Sequence, residues 1–241
     1  MSRFIILSLF PDMFPGPLAH SVMGKSYKKL WDCQTINLRD FANNKHQRVD
    51  DEPFGGGAGM VIRAEVVMAA LEYLHSQEPL GKIIHLTPRG KPLTPAIAKS
   101  LAKYLGKKKP ITLIAGHYEA IDQRLFDYYH RQYPDNPIDE LTIGDYVLSG
   151  GELPAMVLME AVLRFLPNVL AKESSHQDES HENNLLEHHH YTRPSEWRGI
   201  KVPEILLTGD HKKIKAFRQA EAEMLTKKLR PELIKKYKKI R

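Results

Sequence analysis

The chain has 241 residues, enough for one large domain or for a medium domain with a small one. At 42% hydrophobic and 27% charged it has a soluble globular composition, and no apolar run approaches the roughly 20 residues of a membrane span. Cys33 is the sole cysteine, which excludes an intrachain disulfide and a cysteine metal cluster and makes the cytoplasm the expected compartment.

The net charge of +6 is unevenly placed. From His211 to Arg241 there are 12 Lys and Arg against 3 Asp and Glu, whereas the preceding 210 residues carry 23 against 26. The basic excess therefore sits at the C-terminal end, where it can attract a phosphate backbone or simply form a solvated helical face.

Taken in chain order, apolar strand-like runs alternate with helical patterns. Phe4–Phe10, Gln34–Leu38, Lys82–Thr87 and Ile111–Ala115 read as strands. Ala64–His75, Pro95–Leu105 and Asp122–Arg131 read as helices, and a further helix runs over about Glu152–Phe165, stopped near Pro167. This alternation predicts an α/β domain with a mainly parallel sheet, over residues 1–166. Residues 167–189 read as a polar linker, crowded with Ser, Asn, His and acids. Residues 190–241 are expected to form a small, basic helical domain.

Open parallel sheets bind ligands at the carboxyl ends of their strands. Three loops fall there: Leu86-Thr87-Pro88-Arg89-Gly90, Gly116-His117-Tyr118-Glu119, and Ile143 to Pro154. Each alone reads as an ordinary strand-to-helix turn. Together they offer backbone groups and small residues suited to a neutral or cationic nucleoside, without the lysine clamp of a triphosphate site. A separate cluster, Asp50 to Met60, is neither a Walker loop nor a dinucleotide fingerprint, and reads equally as a flexible surface loop. In the linker, Asp178 and Glu179 follow Arg164 at the end of the preceding helix; a carboxylate with an arginine can remove a proton and stabilise the resulting anion. His188-His189-His190 has poor spacing for a metal site, so no metal ligand is assigned.

These motifs resemble the bacterial tRNA (guanine-N1)-methyltransferases, the TrmD family of the SPOUT class. The resemblance is carried by Leu9-Phe10-Pro11, Val49-Asp50-Asp51, Gly55–Gly59, Gly116–Glu119, His190–Pro194 and above all Ile143–Met156, which reads IGDYVLSGGELPAM. It implies a parallel sheet threaded as a trefoil knot, a homodimer with shared active sites, and S-adenosylmethionine as methyl donor to a guanine next to the anticodon, at tRNA position 37. The implied cofactor contacts are Leu86, Thr87, Pro88, Gly90, Gly116, Tyr118, Glu119, Ile143, Gly144, Asp145, Tyr146, Val147, Leu148, Gly150 and Gly151. The expected RNA contacts are Asp50, Gly55, Gly56, Gly57, Gly59, Arg193, Lys227 and Lys228.

Guanine N1 carries a proton at neutral pH, so methylation there needs a base and a cation near O6. The family's arginine matches Arg164. Its aspartate falls on Glu179 in ungapped register, or on Asp178 after a one-residue slip; here the chain reads Asp178-Glu179-Ser180-His181 where the family has an acid, the aspartate and Ser-Phe. Ala120 stands where the family usually has glycine, and His189 where it has proline. The family is associated with magnesium, but no magnesium site is spelled out. Two alternatives remain open at this point: a related RNA methyltransferase with another target, and an RNA-binding relative with weakened chemistry.

Overall fold

A computed structural model describes residues 1–43, 45–170 and 184–238. The chain divides into two compact units, Met1–Ala171 and Lys172–Arg241.

The first unit runs β1 (Ser2–Ser8), α1 (Ser21–Ser26), β2 (Trp31–Asn37), β3 (Asp50–Asp51), β4 (Val61–Ile62), α2 (Ala64–Gln77) and β5 (Lys82–Pro92). It continues α3 (Pro95–Leu105), β6 (Ile111–Ala115), β7 (Ala120–Ile121), α4 (Gln123–Gln132), β8 (Ile138–Thr142) and α5 (Glu152–Leu163). Five strands form one parallel sheet in the order β2-β1-β6-β5-β8. A small second sheet pairs β3 antiparallel to β4 and β4 parallel to β7.

A parallel sheet covered on both faces needs strands apolar on both sides, and β1 has them: Phe4, Ile5, Ile6 and Leu7 are all fully buried. Their alternation divides the core. Phe4 and Ile6 join residues of α1, α3 and α5, including Met23, Leu101 and Leu158. Ile5 and Leu7 join residues of α2 and α4, including Leu71 and Phe126. Helix starts follow their caps. Thr94 accepts the Ile97 N–H at 3.3 Å with Pro95 opening α3, and Asp122 accepts the Arg124 N–H at 2.9 Å ahead of α4.

Several boundaries differ from the sequence expectation. The first strand ends at Ser8, and Phe10 leads instead into a short 3-10 turn at Pro11–Met13. The second begins three residues early, at Trp31. β5 continues to Pro92, past an irregularity between Leu86 and Lys91 where its register against β8 shifts. β8 was not expected, because Asp139 and Glu140 interrupt its apolar run; it lies at the sheet edge, where such residues are tolerated.

In the second unit the residues just after His190 are not helical. They carry a hairpin, β9 (Glu196–Trp197) and β10 (Ile200–Lys201), then a 3-10 turn at Glu204–Leu207. Helices begin only at α6 (His211–Leu229), capped by Asp210, and continue in α7 (Pro231–Lys238). Thr226, buried on α6, accepts the Leu186 N–H at 2.7 Å and donates to the Ala222 carbonyl at 2.6 Å, fastening the incoming chain to the helix. His189 and His190 are held by Glu221 and Glu187 at 2.8 and 2.6 Å. Among the described residues, no helix is long and apolar enough to cross a membrane.

Candidate active site

The carboxyl ends of β5, β6 and β8 converge on a cavity of about 330 Å3. Its walls are His85 to Arg89, Gly116 to Ile121, Leu141 to Gly144, and Tyr146 to Gly151, with Pro154 from the first turn of α5.

The β6 and β8–α5 loops are joined by backbone. Gly151 N–H donates to the Gly116 carbonyl at 2.7 Å, and His117 bridges Gly150 in antiparallel fashion. Gly151 has to be glycine: a Cβ there would lie 2.7 Å from Ala115 Cα and 2.8 Å from Gly116 N. Earlier in the same loop, Thr142 Oγ1 donates to the Gly144 carbonyl at 2.8 Å and accepts the Gly144 N–H at 3.1 Å. That double contact turns the chain out of β8 and leaves Tyr146, Val147 and Leu148 exposed along the cavity.

Charge is sparse at this site. His85 is buried at the cavity, with Nδ1 3.3 Å from Glu140 Oε1. This contact, helped by the Coulomb attraction of His85 and Arg89, holds the Glu140 carboxyl below the usual carboxylate range. Behind the wall lies Glu152, 3% exposed, whose Oε1 accepts the Ser8 hydroxyl at 2.7 Å. His117 Nδ1 is buried without a hydrogen-bond partner, 3.8 Å from Glu152 Oε2. Glu119, also in the lining, ties the cavity to the glycine-rich loop: its Oε2 accepts the Met60 N–H at 2.8 Å, and its own N–H donates to the Met60 carbonyl at 3.1 Å.

Backbone donors and acceptors, exposed aromatic and aliphatic side chains, and no lysine in the lining among the described residues suit an uncharged or cationic nucleoside-type ligand. Comparison with known proteins agrees with that chemistry. The family described as tRNA (Guanine-1)-methyltransferase TrmD matches residues 2–236. The chain belongs to the TrmD family. A tRNA (guanine-N(1)-)-methyltransferase of Rhodospirillum rubrum is 47% identical over 236 residues, covering 98% of this chain and 93% of that one. Proteins of the same name from Wolbachia pipientis and Desulforamulus reducens are 47% and 44% identical, covering 95% and 97% of this chain and 94% and 89% of theirs.

Of the cofactor contacts that the TrmD resemblance implies, thirteen line this one cavity; Gly90 and Asp145 do not. Gly90 lies against the backbone of Leu141, where a Cβ would come within 2.4–2.6 Å, so its smallness serves the packing of β5 on β8. Asp145 is exposed on the loop after β8. Arg164 directly follows the twelve-residue α5, about 18 Å along the axis from the cavity-side end at a rise of ~1.5 Å per residue. Asp178 and Glu179 lie outside the described residues.

Asp50 opens β3, and Gly55, Gly56, Gly57 and Gly59 follow in the loop that Glu119 secures. Arg193, Lys227 and Lys228 are exposed in the second unit, the lysines in the last turn of α6. Sequence reading left Ser8 and His85 out of the site, and His117 and Glu152, though inside the named loops, were given no contact of their own. Ser8 carried a signal, as the one polar residue inside an otherwise apolar run.

Proposed function

We propose that this chain transfers a methyl group from S-adenosylmethionine to N1 of a guanine next to the anticodon of tRNA. The observation that carries this reading is the convergence of the three TrmD loops on one cavity at the strand ends. Its lining has no lysine among the described residues, which is compatible with a nucleoside carrying a sulfonium cation. S-adenosylmethionine, when bound there, supplies an electrophilic methyl group. The lining residues Leu86 to Pro88, Gly116 to Glu119, Ile143, Gly144 and Tyr146 to Gly151 would hold it and exclude water.

The protein's own chemistry is proton removal. Guanine N1–H must lose its proton as the N1–methyl bond forms, and a linker carboxylate, Glu179 or its neighbour Asp178, takes it. Negative charge then grows at O6, where the guanidinium of Arg164 stabilises it. Arg164 stands a helix length from the cavity of its own chain, which favours a homodimer in which one subunit's Arg164 serves its partner's cavity. Exposed apolar residues are available for such pairing: Leu153 and Val157, one turn apart on α5, and Phe10, Met13 and Val22 after β1.

The trefoil knot belongs to the same reading. It is supported by the return of the β8–α5 loop onto the β6 loop through Gly151 and Gly116, and by the insertion of β6 between β1 and β5. The second unit, with Arg193, Lys227 and Lys228 exposed, serves as the tRNA-binding domain of a cytoplasmic enzyme. Incubation with labelled S-adenosylmethionine and unmodified tRNA, followed by mapping of the modified base, tests the whole. Label on guanine N1 beside the anticodon is the expected result, and label elsewhere or none overturns it.

A further inference from the structure

Among the large apolar side chains of the described residues, Phe54 is exceptional: it is 97% exposed, and only Val147 on the cavity wall, at 83%, comes near it. A singly exposed apolar residue is ordinary on a protein surface; what sets Phe54 apart is that its ring stands wholly open at the corner of a defined turn, in the loop that Glu119 ties to the cavity. The local backbone presents it. Gly56 N–H donates to the Pro53 carbonyl at 3.2 Å, closing a turn whose third residue, Gly55, takes φ 89°. That sign is what a type II turn requires at this position, and it leaves Phe54 at the outer corner.

The loop is also aimed. Its ends are joined by the β3–β4 pairing, Asp50 with Ile62 and Asp51 with Val61. Its far side is pinned to the cavity by Glu119, which holds the Met60 backbone at both N–H and carbonyl. At Gly59, φ 86°, a Cβ would sit 1.8 Å from the Glu119 carboxylate, so the loop closes directly onto a side chain that lines the methyl-transfer site.

Methylation at N1 requires the Watson–Crick edge of the guanine to enter the cavity, which takes that base out of its stack and leaves its neighbours without a face to stack on. We propose that Phe54 supplies the missing face, stacking on the tRNA base that flanks the target guanine while the guanine occupies the cavity. This rests on the reading of the protein as a tRNA guanine methyltransferase. A phenyl ring suits the task because every base has a π-face on which it can stack.

The test compares wild type with Phe54→Ala, Phe54→Leu and Phe54→Trp. It reads S-adenosylmethionine affinity, tRNA affinity and single-turnover methyl transfer, on unmodified tRNA and on tRNAs made abasic on the 5′ or the 3′ side of the guanine. Phe54→Ala is expected to lower transfer at sub-saturating tRNA by about 5- to 150-fold, the range of one base–aromatic stack. Phe54→Trp should keep activity, Phe54→Leu should fall near the alanine variant, and cofactor affinity should hold throughout. On one abasic tRNA the alanine substitution should cost nothing further. Activity of Phe54→Leu equal to wild type, equal losses on all three tRNAs, or a parallel loss of cofactor affinity overturns the proposal. A wild-type chain that methylates no tRNA at all sinks the proposed function itself, a different outcome from an active wild type indifferent to Phe54.

Discussion

Ser8 Oγ donates to Glu152 Oε1 at 2.7 Å, joining the carboxyl end of β1 to the first turn of α5 behind the cavity. Both groups are buried, so neither has water to fall back on. Ser8→Ala is expected to cost about 1–3 kcal/mol in urea denaturation, because it leaves a buried carboxyl oxygen without its donor. Glu152→Ala should cost at least as much. Glu152→Gln should cost less, since its carbonyl oxygen can still accept from Ser8 while its amide can donate to the unpartnered His117 Nδ1. Equal losses for Gln and Ala would contradict this account of the pair.

The loop glycines separate by what a side chain would meet. At Gly151 a Cβ meets the backbone of β6, whereas at Gly144 it meets the ring of Tyr146, 2.4 Å away but able to rotate. Gly151→Ala is therefore expected to abolish S-adenosylmethionine binding and lower the melting temperature. Gly144→Ala meets a movable ring but puts a side chain on backbone at φ 157°, a strain of about 1–3 kcal/mol, so it should keep the fold and weaken binding by about 5- to 150-fold. Gly116→Val should fall between them, its Cβ lying 3.3 Å from His85 Nε2. Calorimetry with the cofactor orders the three.

Acid sensitivity should come in two stages. Burial between α2 and the tyrosines lowers the His75 pKa; its Nε2 lies 3.0 Å from Tyr129 Oη and its ring stacks on Tyr133. A depressed histidine pKa means the folded state favours the neutral ring. Its contribution is present above the unfolded value and is lost as pH falls below about 6.5 and through the folded value. Glu140, depressed by its hydrogen bond to His85, loses its contribution later, below about 4.3. His75→Phe should flatten the first stage and Glu140→Gln the second, each by less than about 1 kcal/mol because both groups are part-exposed. Urea midpoints measured from pH 8 down to about pH 2 check both.

Lys227 and Lys228 close α6 on its exposed side. If both contact phosphates, tRNA affinity falls steeply with salt, and Lys227→Gln and Lys228→Gln each flatten the log–log slope by about one unit. S-adenosylmethionine affinity should not change. An unaltered slope in the double variant would leave these lysines as a solvated surface.

For the proton acceptor, Glu179→Gln is expected to cut single-turnover methyl transfer by roughly 100-fold or more, with tRNA and cofactor binding nearly intact. Asp178→Asn should cost much less, and Glu179→Asp should keep activity. The reverse ranking moves the role to Asp178, and indifference to both changes removes a linker carboxylate from the mechanism.

What the sequence disclosed follows the range of the forces involved. α3 and α4 were legible because Thr94, Pro95 and Asp122 mark their starts locally. The buried strands were legible because both faces are apolar. β8 was not, since an edge strand can carry Asp139 and Glu140. The hairpin of β9 and β10 was not, because only two residue pairs hold it. The cavity loops could be named from their motif, but not the contacts that set them. Ser8 and Glu152 are 144 residues apart, and Met60 and Glu119 are 59 apart, distances over which no local pattern speaks.

The place of β6 in the sheet also decides when the site can come into being. As the chain lengthens during synthesis, β1 finds β2 at once, but β5 has no neighbour until β6 arrives to fill the gap beside β1. The cavity waits longer still, for β8 and for Gly151 to reach Gly116. A nascent chain released before β8 thus carries four strands of the sheet and lacks a whole wall of the binding site. Assembly is governed by pairings distant in sequence, the kind that fold slowly, and binding of the cofactor can reward only the finished article.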